Sequence, residues 1–253
     1  MHQTNVMADC AANYAAELGR RQEGWLISEG LHKKINPDGT MNDFYGATTV
    51  IKLSERDKAR CRAMQQEVLA LVPGMLVPVG PDTFHFTIHA LSNPYNVPGG
   101  TNSAIQRDII AREEAVIAEL REIRALHGDK RLRLRMLGAS TAGNDVVSLK
   151  LAPADTPDES LLVELFRRIE RVCPLGKRYT PHITLAYFKP QAYPQAHVDR
   201  LYEGLRALSR TVHEDLILDV RDLVYQHHYS MDDFRDVVPA NKLESDPEGG
   251  LGA

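Results

Sequence analysis

The sequence predicts an α+β protein in which two mostly antiparallel sheets face a central cleft and carry helices on the outside. Three observations predict this fold class: some segments alternate apolar and polar residues, others repeat apolar residues at helical spacing, and one strand–helix–strand order occurs twice. With 253 residues, of which 43% are hydrophobic and 25% charged, the chain can bury a sizeable core. We therefore expect a bilobal protein made of a duplicated unit.

The two copies of the unit are read from the order of the patterned segments. The first half predicts a strand over 45–53, a helix over 55–72, and strands near 75–79 and 83–90. The second half predicts strands over 131–138 and 146–151, a helix over 158–172, and a strand over 180–188. Because the order recurs, we expect each copy to build one lobe.

Further elements complete the predicted domain. Apolar spacing predicts a long helix over 105–123 and another over 198–208, and alternation predicts a late strand over 216–225. We expect interleaved lobes within one domain over 44–243, preceded by an N-terminal extension over 1–43. The residues 244–253 are rich in Gly, Pro and acids, a composition that is typical of a disordered tail.

The last strand of each unit carries a similar triplet. The two triplets, His85-Phe86-Thr87 and His182-Ile183-Thr184, are separated by 97 residues, about the length of one unit. Residues i and i+2 of a strand point to the same face, so each strand presents one imidazole beside one hydroxyl. If the strands face each other across a cleft, two histidines and two threonines converge on one point.

Comparable triplets elsewhere in the chain serve as internal controls. His-x-Thr or His-x-Ser also occurs at 2–4 and 228–230, but we expect neither to lie inside an alternating strand. We expect His227 and His228 to form a surface feature near the end of the fold. The duplicated context, rather than the triplet alone, therefore carries the prediction.

The residue types in the triplets suit phosphodiester chemistry. One neutral imidazole can take a proton from an attacking water while a protonated one gives a proton to the leaving oxygen. The two threonine hydroxyls can donate hydrogen bonds to phosphate oxygens. His85, His182, Thr87 and Thr184 are therefore the candidate catalytic residues, in a scheme that needs no metal and no cofactor.

The motifs resemble those of the 2H phosphoesterase superfamily, which includes 2′-5′ RNA ligase-like proteins and cyclic phosphodiesterases. The second motif extends over 179–186, and the first over 85–89 is a looser match. The resemblance covers roughly 44–225. The stretches 34–40 and 45–49 are similar to an uncharacterised branch of the superfamily.

This resemblance implies a metal-independent phosphodiesterase acting on a 2′,3′-cyclic phosphate, a 2′-5′ linkage or a related small nucleotide or RNA-end ester. The alternatives are a 2′-5′ RNA ligase of the same superfamily and a non-catalytic nucleotide- or RNA-binding module on the same fold. The sequence leaves the direction of the reaction and the acid and base assignments open.

Five further residues are candidates for substrate binding: Tyr179, Arg133, Arg135, His89 and Tyr45. Tyr179 could stack on a base or pack under its strand. The arginines alternate with apolar residues, which suits either a solvated sheet face or a row of phosphate-binding guanidiniums. His89 is expected on the face of His85, in contact with substrate or in solvent, and Tyr45 is either a contact or a core residue.

Other classes of function fit the sequence poorly. Strand residues four apart are about 13 Å apart, too far for His85 and His89 to chelate one ion. Three widely spaced cysteines form no zinc or disulfide pattern. A net charge of −4 gives no general attraction to duplex DNA. No segment is apolar enough for a membrane span, so we expect a cytoplasmic protein. We also expect a monomer.

Overall fold

The computed structural model describes residues 6–19, 23–142, 145–176, 179–211 and 214–237. The predicted disordered tail lies outside these described residues, as does the triplet at 2–4. Within the described ranges the helices are α1 (Val6–Gly19), α2 (Glu55–Leu71), α3 (Asn102–His127), α4 (Thr156–Val172) and α5 (Gln195–Leu208).

The strands form two sheets. They are β1 (Gly46–Lys52), β2 (Leu76–Pro78), β3 (His85–His89), β4 (Arg131–Ala142), β5 (Val146–Pro153), β6 (His182–Phe188), β7 (Leu216–Asp219), β8 (Leu223–Ser230) and β9 (Asp233–Asp236). One sheet has the order β3-β1-β8-β9 and the other the order β2-β6-β5-β4-β7. Every pairing between these strands is antiparallel. The predicted α+β fold with two antiparallel sheets is confirmed.

The core of each sheet repeats one arrangement. In the first sheet β1 precedes α2 and pairs with β3, and in the second β5 precedes α4 and pairs with β6. Lys52 lies opposite His85, and Lys150 lies opposite His182. The two triplet strands therefore occupy equivalent positions, each beside the strand that precedes the helix of its unit.

The remaining strands cross between the halves of the chain. β2 follows α2 but pairs with β6 in the second sheet, whereas β8 and β9 from the end of the chain complete the first sheet. Strands that are neighbours in sequence can join different sheets, because an antiparallel pair can form between strands that are far apart in the chain. Each sheet thus contains at least one strand from the other half of the chain.

Helices α2 and α4 begin with a side-chain cap. Ser54 Oγ accepts a hydrogen bond from Asp57 N at the start of α2, and Asp155 does the same for Asp158 N at the start of α4. α2 packs on α5, and α3 packs on α4. Helix α1 contacts β4 and β5, and its Glu17 forms an ion pair with Lys150, whose Nζ lies 3.4 Å from the carboxylate.

The residues before β1 are anchored in the core. Leu31 and Ile35 are fully buried, and the Trp25 ring lies 4.5 Å from the Phe188 ring of β6. Ile35 forms an isolated antiparallel bridge with Met41. The segment 23–43 is therefore packed against the strands that carry the second triplet.

Candidate functional site

Both triplets open into one cavity of about 230 Å³. Its lining includes His85, Thr87, His182 and Thr184, whereas Phe86 and Ile183 point into the core. Along β3 and β6 the triplet residues show the same order of partly exposed, buried and partly exposed side chains. The alternation predicted from sequence thus brings two imidazoles and two hydroxyls to a common space.

The two histidine rings are held by the same local contact. His85 Nδ1 lies 2.7 Å from the carbonyl oxygen of Thr83, and His182 Nδ1 lies 2.8 Å from that of Thr180. A carbonyl oxygen can only accept, so Nδ1 of each neutral ring carries the proton and donates it. Nε2 is then the nitrogen of each ring that is available for proton transfer.

The electrostatic environment favours neutral rings. Burial, opposed by the hydrogen bond to Thr83 and assisted by the charge of His182, lowers the pKa of His85 from 6.5 to about 4. Burial also lowers the pKa of His182, with additional lowering by Lys150 and Lys34 and an opposing effect of Glu17. An anion bound in the cavity would have the opposite effect and favour protonation of either ring.

A third histidine, His228, also lines the cavity, and its predicted surface position is wrong. It lies inside β8, is 4% exposed, and hydrogen bonds through Nδ1 to the carbonyl oxygen of Phe44 at 2.7 Å. Burial lowers its pKa to about 4. The His-x-Ser triplet at 228–230 therefore lies inside a strand, and the expectation that it does not is also wrong, because β8 continues to Ser230 beyond the predicted end at residue 225.

The ring of His228 fits only because Gly46 lies opposite it in β1. A Cβ at residue 46 would stand 2.6 Å from the imidazole and 2.5 Å from the carbonyl oxygen of Ser92. Phe234 of β9 then packs between the rings of His85 and His228, with centroid distances of 4.7 and 5.4 Å. Strand β9 was not predicted, because four half-exposed residues after a turn give little periodic signal.

His89 lies away from the cavity, so its predicted placement beside His85 is corrected. The pairing of β1 with β3 shifts register between Thr49 and Val50, so that Thr49 lies opposite His89. Such a bulge redirects the following side chain. The His89 ring is buried, with Nε2 2.6 Å from the carboxylate of Glu170 in α4.

Tyr179 does not line the cavity either; it packs under the first triplet. Its hydroxyl donates a hydrogen bond of 2.7 Å to the carbonyl oxygen of Thr87, and its ring contacts Phe86 and Phe166. The packing interpretation therefore replaces base stacking. The residue links the approach to the second motif directly to the strand of the first.

Arg133 and Arg135 lie on the exposed face of β4, and the predicted phosphate contacts in the cavity are corrected. The guanidinium of Arg133 contacts Asp155 at 2.5 Å, and that of Arg135 donates to the carbonyl oxygen of Ala154 at 3.2 Å. Alternation places Leu132 and Leu134 in the core, which turns the arginines to solvent. Of the two interpretations given for the arginines, the structure therefore agrees with a solvated sheet face.

Tyr45 also lies outside the cavity lining. Its ring packs against those of Tyr229 and His227, with centroid distances of 5.6 and 6.3 Å. The adjacent residue Phe44 lines the cavity instead, because successive residues of an extended chain point in opposite directions.

The lining differs in charge from the chain as a whole. It contains Lys34 and the three histidines, and none of its described residues is an aspartate or a glutamate. In the described ranges no group of three or more His, Cys, Asp or Glu side chains is arranged to hold a metal ion. None of the described helices has the length and apolar character needed to cross a membrane.

Comparison with known proteins concerns the fold. No family model matches the chain, and no curated protein matches it in sequence. The structure of ATU0111, a conserved protein of unknown function from Agrobacterium tumefaciens, is 18% identical, with a TM-score of 0.56 over 85% of this chain and 93% of that one. The chain shares the fold of ATU0111.

Two further solved structures are similar at a lower level. TT0787 of Thermus thermophilus is 15% identical, with a TM-score of 0.46 over 76% of this chain and 94% of its own. LigT of E. coli in its apo form is 13% identical, with a TM-score of 0.44 over 77% of this chain and 94% of LigT.

Proposed function

We propose that this protein is a phosphodiesterase of the 2H type that hydrolyses a small phosphoester, with a 2′,3′-cyclic phosphate as the first candidate. The observation that supports the proposal is the meeting of both triplets in one cavity, with both Nδ1 atoms engaged by backbone carbonyls. The resemblance of the two motifs to those of the 2H superfamily points to the same chemistry.

The proposed reaction uses the free Nε2 atoms as base and acid. One neutral imidazole removes a proton from water as the water oxygen forms a bond to phosphorus. The protonated imidazole gives its proton to the ribose oxygen whose bond to phosphorus breaks. Thr87 and Thr184 donate hydrogen bonds to the non-bridging oxygens, where negative charge increases in the transition state.

The test is turnover of a panel of phosphoesters by the purified wild-type protein in the presence of EDTA. The panel contains 2′,3′-cyclic mononucleotides, a 2′-5′ dinucleotide, its 3′-5′ isomer as control, and an RNA oligomer ending in a cyclic phosphate. Hydrolysis with EDTA present is the expected result, because the four groups require no ion. Turnover only after addition of metal would contradict the two-histidine mechanism.

The same panel separates the alternatives. Joining of a 5′-hydroxyl RNA to the cyclic phosphate end would instead identify a ligase. Binding of the nucleotides without any turnover would identify a binding module.

We expect a bell-shaped dependence of kcat/KM on pH with its maximum below pH 6.5. The active form carries one neutral and one protonated imidazole, and burial lowers both pKa values from 6.5, that of His85 to about 4. As pH falls from neutrality, protonation of the first ring raises kcat/KM. Protonation of the second ring at lower pH lowers it again.

The measurement is the initial rate at low substrate concentration at a series of pH values on both sides of the expected maximum. Thermal unfolding at each pH excludes denaturation. The phosphodiester itself stays monoanionic, so the limbs report on the protein. A profile without an alkaline limb would show that no protonated imidazole is required.

A further inference from the structure

The cavity has the charge of an anion site in a protein whose net charge is −4. Burial, and to a smaller extent mutual repulsion, lowers the pKa values of His85 and His228, so these rings are mostly neutral at pH 7 and supply little positive charge. Lys34 is the lysine among the described lining residues. It lies close enough to His182 and His228 for its charge to lower the pKa of both.

The surroundings of the Lys34 ammonium are aromatic. Nζ lies 5.6 Å from the ring centroid of Phe44, 5.2 Å from that of Tyr95 and 5.3 Å from that of Tyr187. Rings at these distances hold a cation without neutralising it. Within the described residues no carboxylate forms a salt bridge with Lys34; Asp145 acts at longer range, where it opposes the lowering of the lysine pKa by burial.

The backbone around Lys34 is built to fix its position. Leu31 and Ile35, on either side of it, are fully buried. The following turn closes when Asp38 Oδ1 accepts hydrogen bonds from the amide and hydroxyl of Thr40, at 2.9 and 2.7 Å, and Gly39 adopts a φ of +91°. The stretch 34–40 is thus a hydrogen-bonded turn whose first residue, Lys34, lines the cavity.

One of the aromatic rings around the ammonium, Tyr95, is hydrogen-bonded to the same segment. The hydroxyl of Tyr95 donates a hydrogen bond of 2.6 Å to the carbonyl oxygen of Gly30. Tyr95 belongs to the loop after β3, so the segment before β1 and the loop after the first triplet hold the ammonium between them. A partly buried cation with this much support, and without an ion-pair partner among the described residues, is costly unless an anion pairs with it.

We infer that Lys34 binds an anionic phosphate oxygen of the substrate, and that the segment carrying it belongs to the active site rather than to a separate extension. This inference rests on the proposed function for its substrate, a small phosphoester. Threonine hydroxyls supply neutral donors to the phosphate, whereas Lys34 supplies a full charge. Lys34 therefore stabilises both the bound substrate and the additional negative charge of the transition state.

The test measures binding of inorganic phosphate by calorimetry at low ionic strength. We compare wild type with Lys34→Met, which keeps most of the length of the unbranched side chain without its charge, and with the matched control Lys33→Met. Lys33 is exposed, lies 5.2 Å from the same Tyr95 ring and is absent from the cavity lining. Both variants therefore remove one charge from the same segment.

Phosphate affinity should fall about 10- to 100-fold in Lys34→Met and change less than about twofold in Lys33→Met. Lys34→Arg should restore part of the affinity, which a purely structural role would not predict. Thermal unfolding checks that the variants are folded, and Lys34→Gln replaces Lys34→Met if the latter is not.

Equal phosphate affinity in wild type and in a folded neutral variant would overturn the inference, as would a wild type that does not bind phosphate. Because this assay needs no turnover, it judges Lys34 even if the esters tested are not hydrolysed. Where wild type is active, kcat/KM should fall in parallel with phosphate affinity.

Discussion

Replacing His182 or His85 by alanine should lower kcat for cyclic phosphate hydrolysis by about 10²- to 10⁴-fold, the usual contribution of a general acid or base. Each ring lies at the cavity with Nδ1 engaged by a backbone carbonyl, so its loss removes one proton-transfer group and leaves the strand in place. Single-turnover and steady-state rates measured with wild type and both variants check this prediction.

The matched control is His197→Ala. His197 lies on α5 and is not part of the cavity lining, so its replacement should leave kcat within about twofold of wild type. The double variant should be scarcely slower than either single variant, because the two rings act as one unit. Activity close to wild type in either single variant would remove that imidazole from the mechanism.

Replacing Phe86 by alanine should lower the free energy of unfolding by about 3–5 kcal/mol, as is typical of a large aromatic residue removed from a core. The Phe86 side chain is fully buried, contacts Tyr179, and lies between His85 and Thr87 in β3. Its burial fixes which way the two flanking side chains point. Urea denaturation of wild type and variant measures the effect.

Tyr229→Ala is the control for this experiment, because that ring is 41% exposed and its loss should cost less than about 1 kcal/mol. Phe86→Leu should fall between the two. A loss below about 1 kcal/mol for Phe86→Ala would mean that the strand is not anchored through this residue, and the explanation of the triplet geometry would fail with it.

Several site residues could be predicted because their signals are local. The alternation in β3 and β6 fixes that His85 and Thr87 share a face, as do His182 and Thr184, since the period of a strand depends only on its backbone. The same reasoning failed at His89, where a register shift against β1 turned the ring toward α4. A bulge depends on the partner strand, which the periodicity of β3 does not reveal.

The other residues that the sequence misplaced or missed share a different cause. Arg133 and Arg135 were correctly expected to share one face of a strand. Whether that face meets the cavity or the solvent depends on which elements pack on the sheet, and alternation within the strand does not reveal this. His228 and Phe234 come from strands that cross from the end of the chain into the first sheet. Their approach to His85 follows from pairing with β1, which no local pattern encodes.

By itself the sequence determined the α+β class, four of the five described α-helices, and the two triplets with their apolar middle residues buried. Tertiary structure alone decided that β2 and β8 change sheets, that the triplets open into one cavity, and that Lys34 and His228 join them there. The physical reason is that propensity and periodicity act over a few residues. The meeting of distant side chains is set instead by strand pairing and by burial of the shared core, to which every part of the chain contributes.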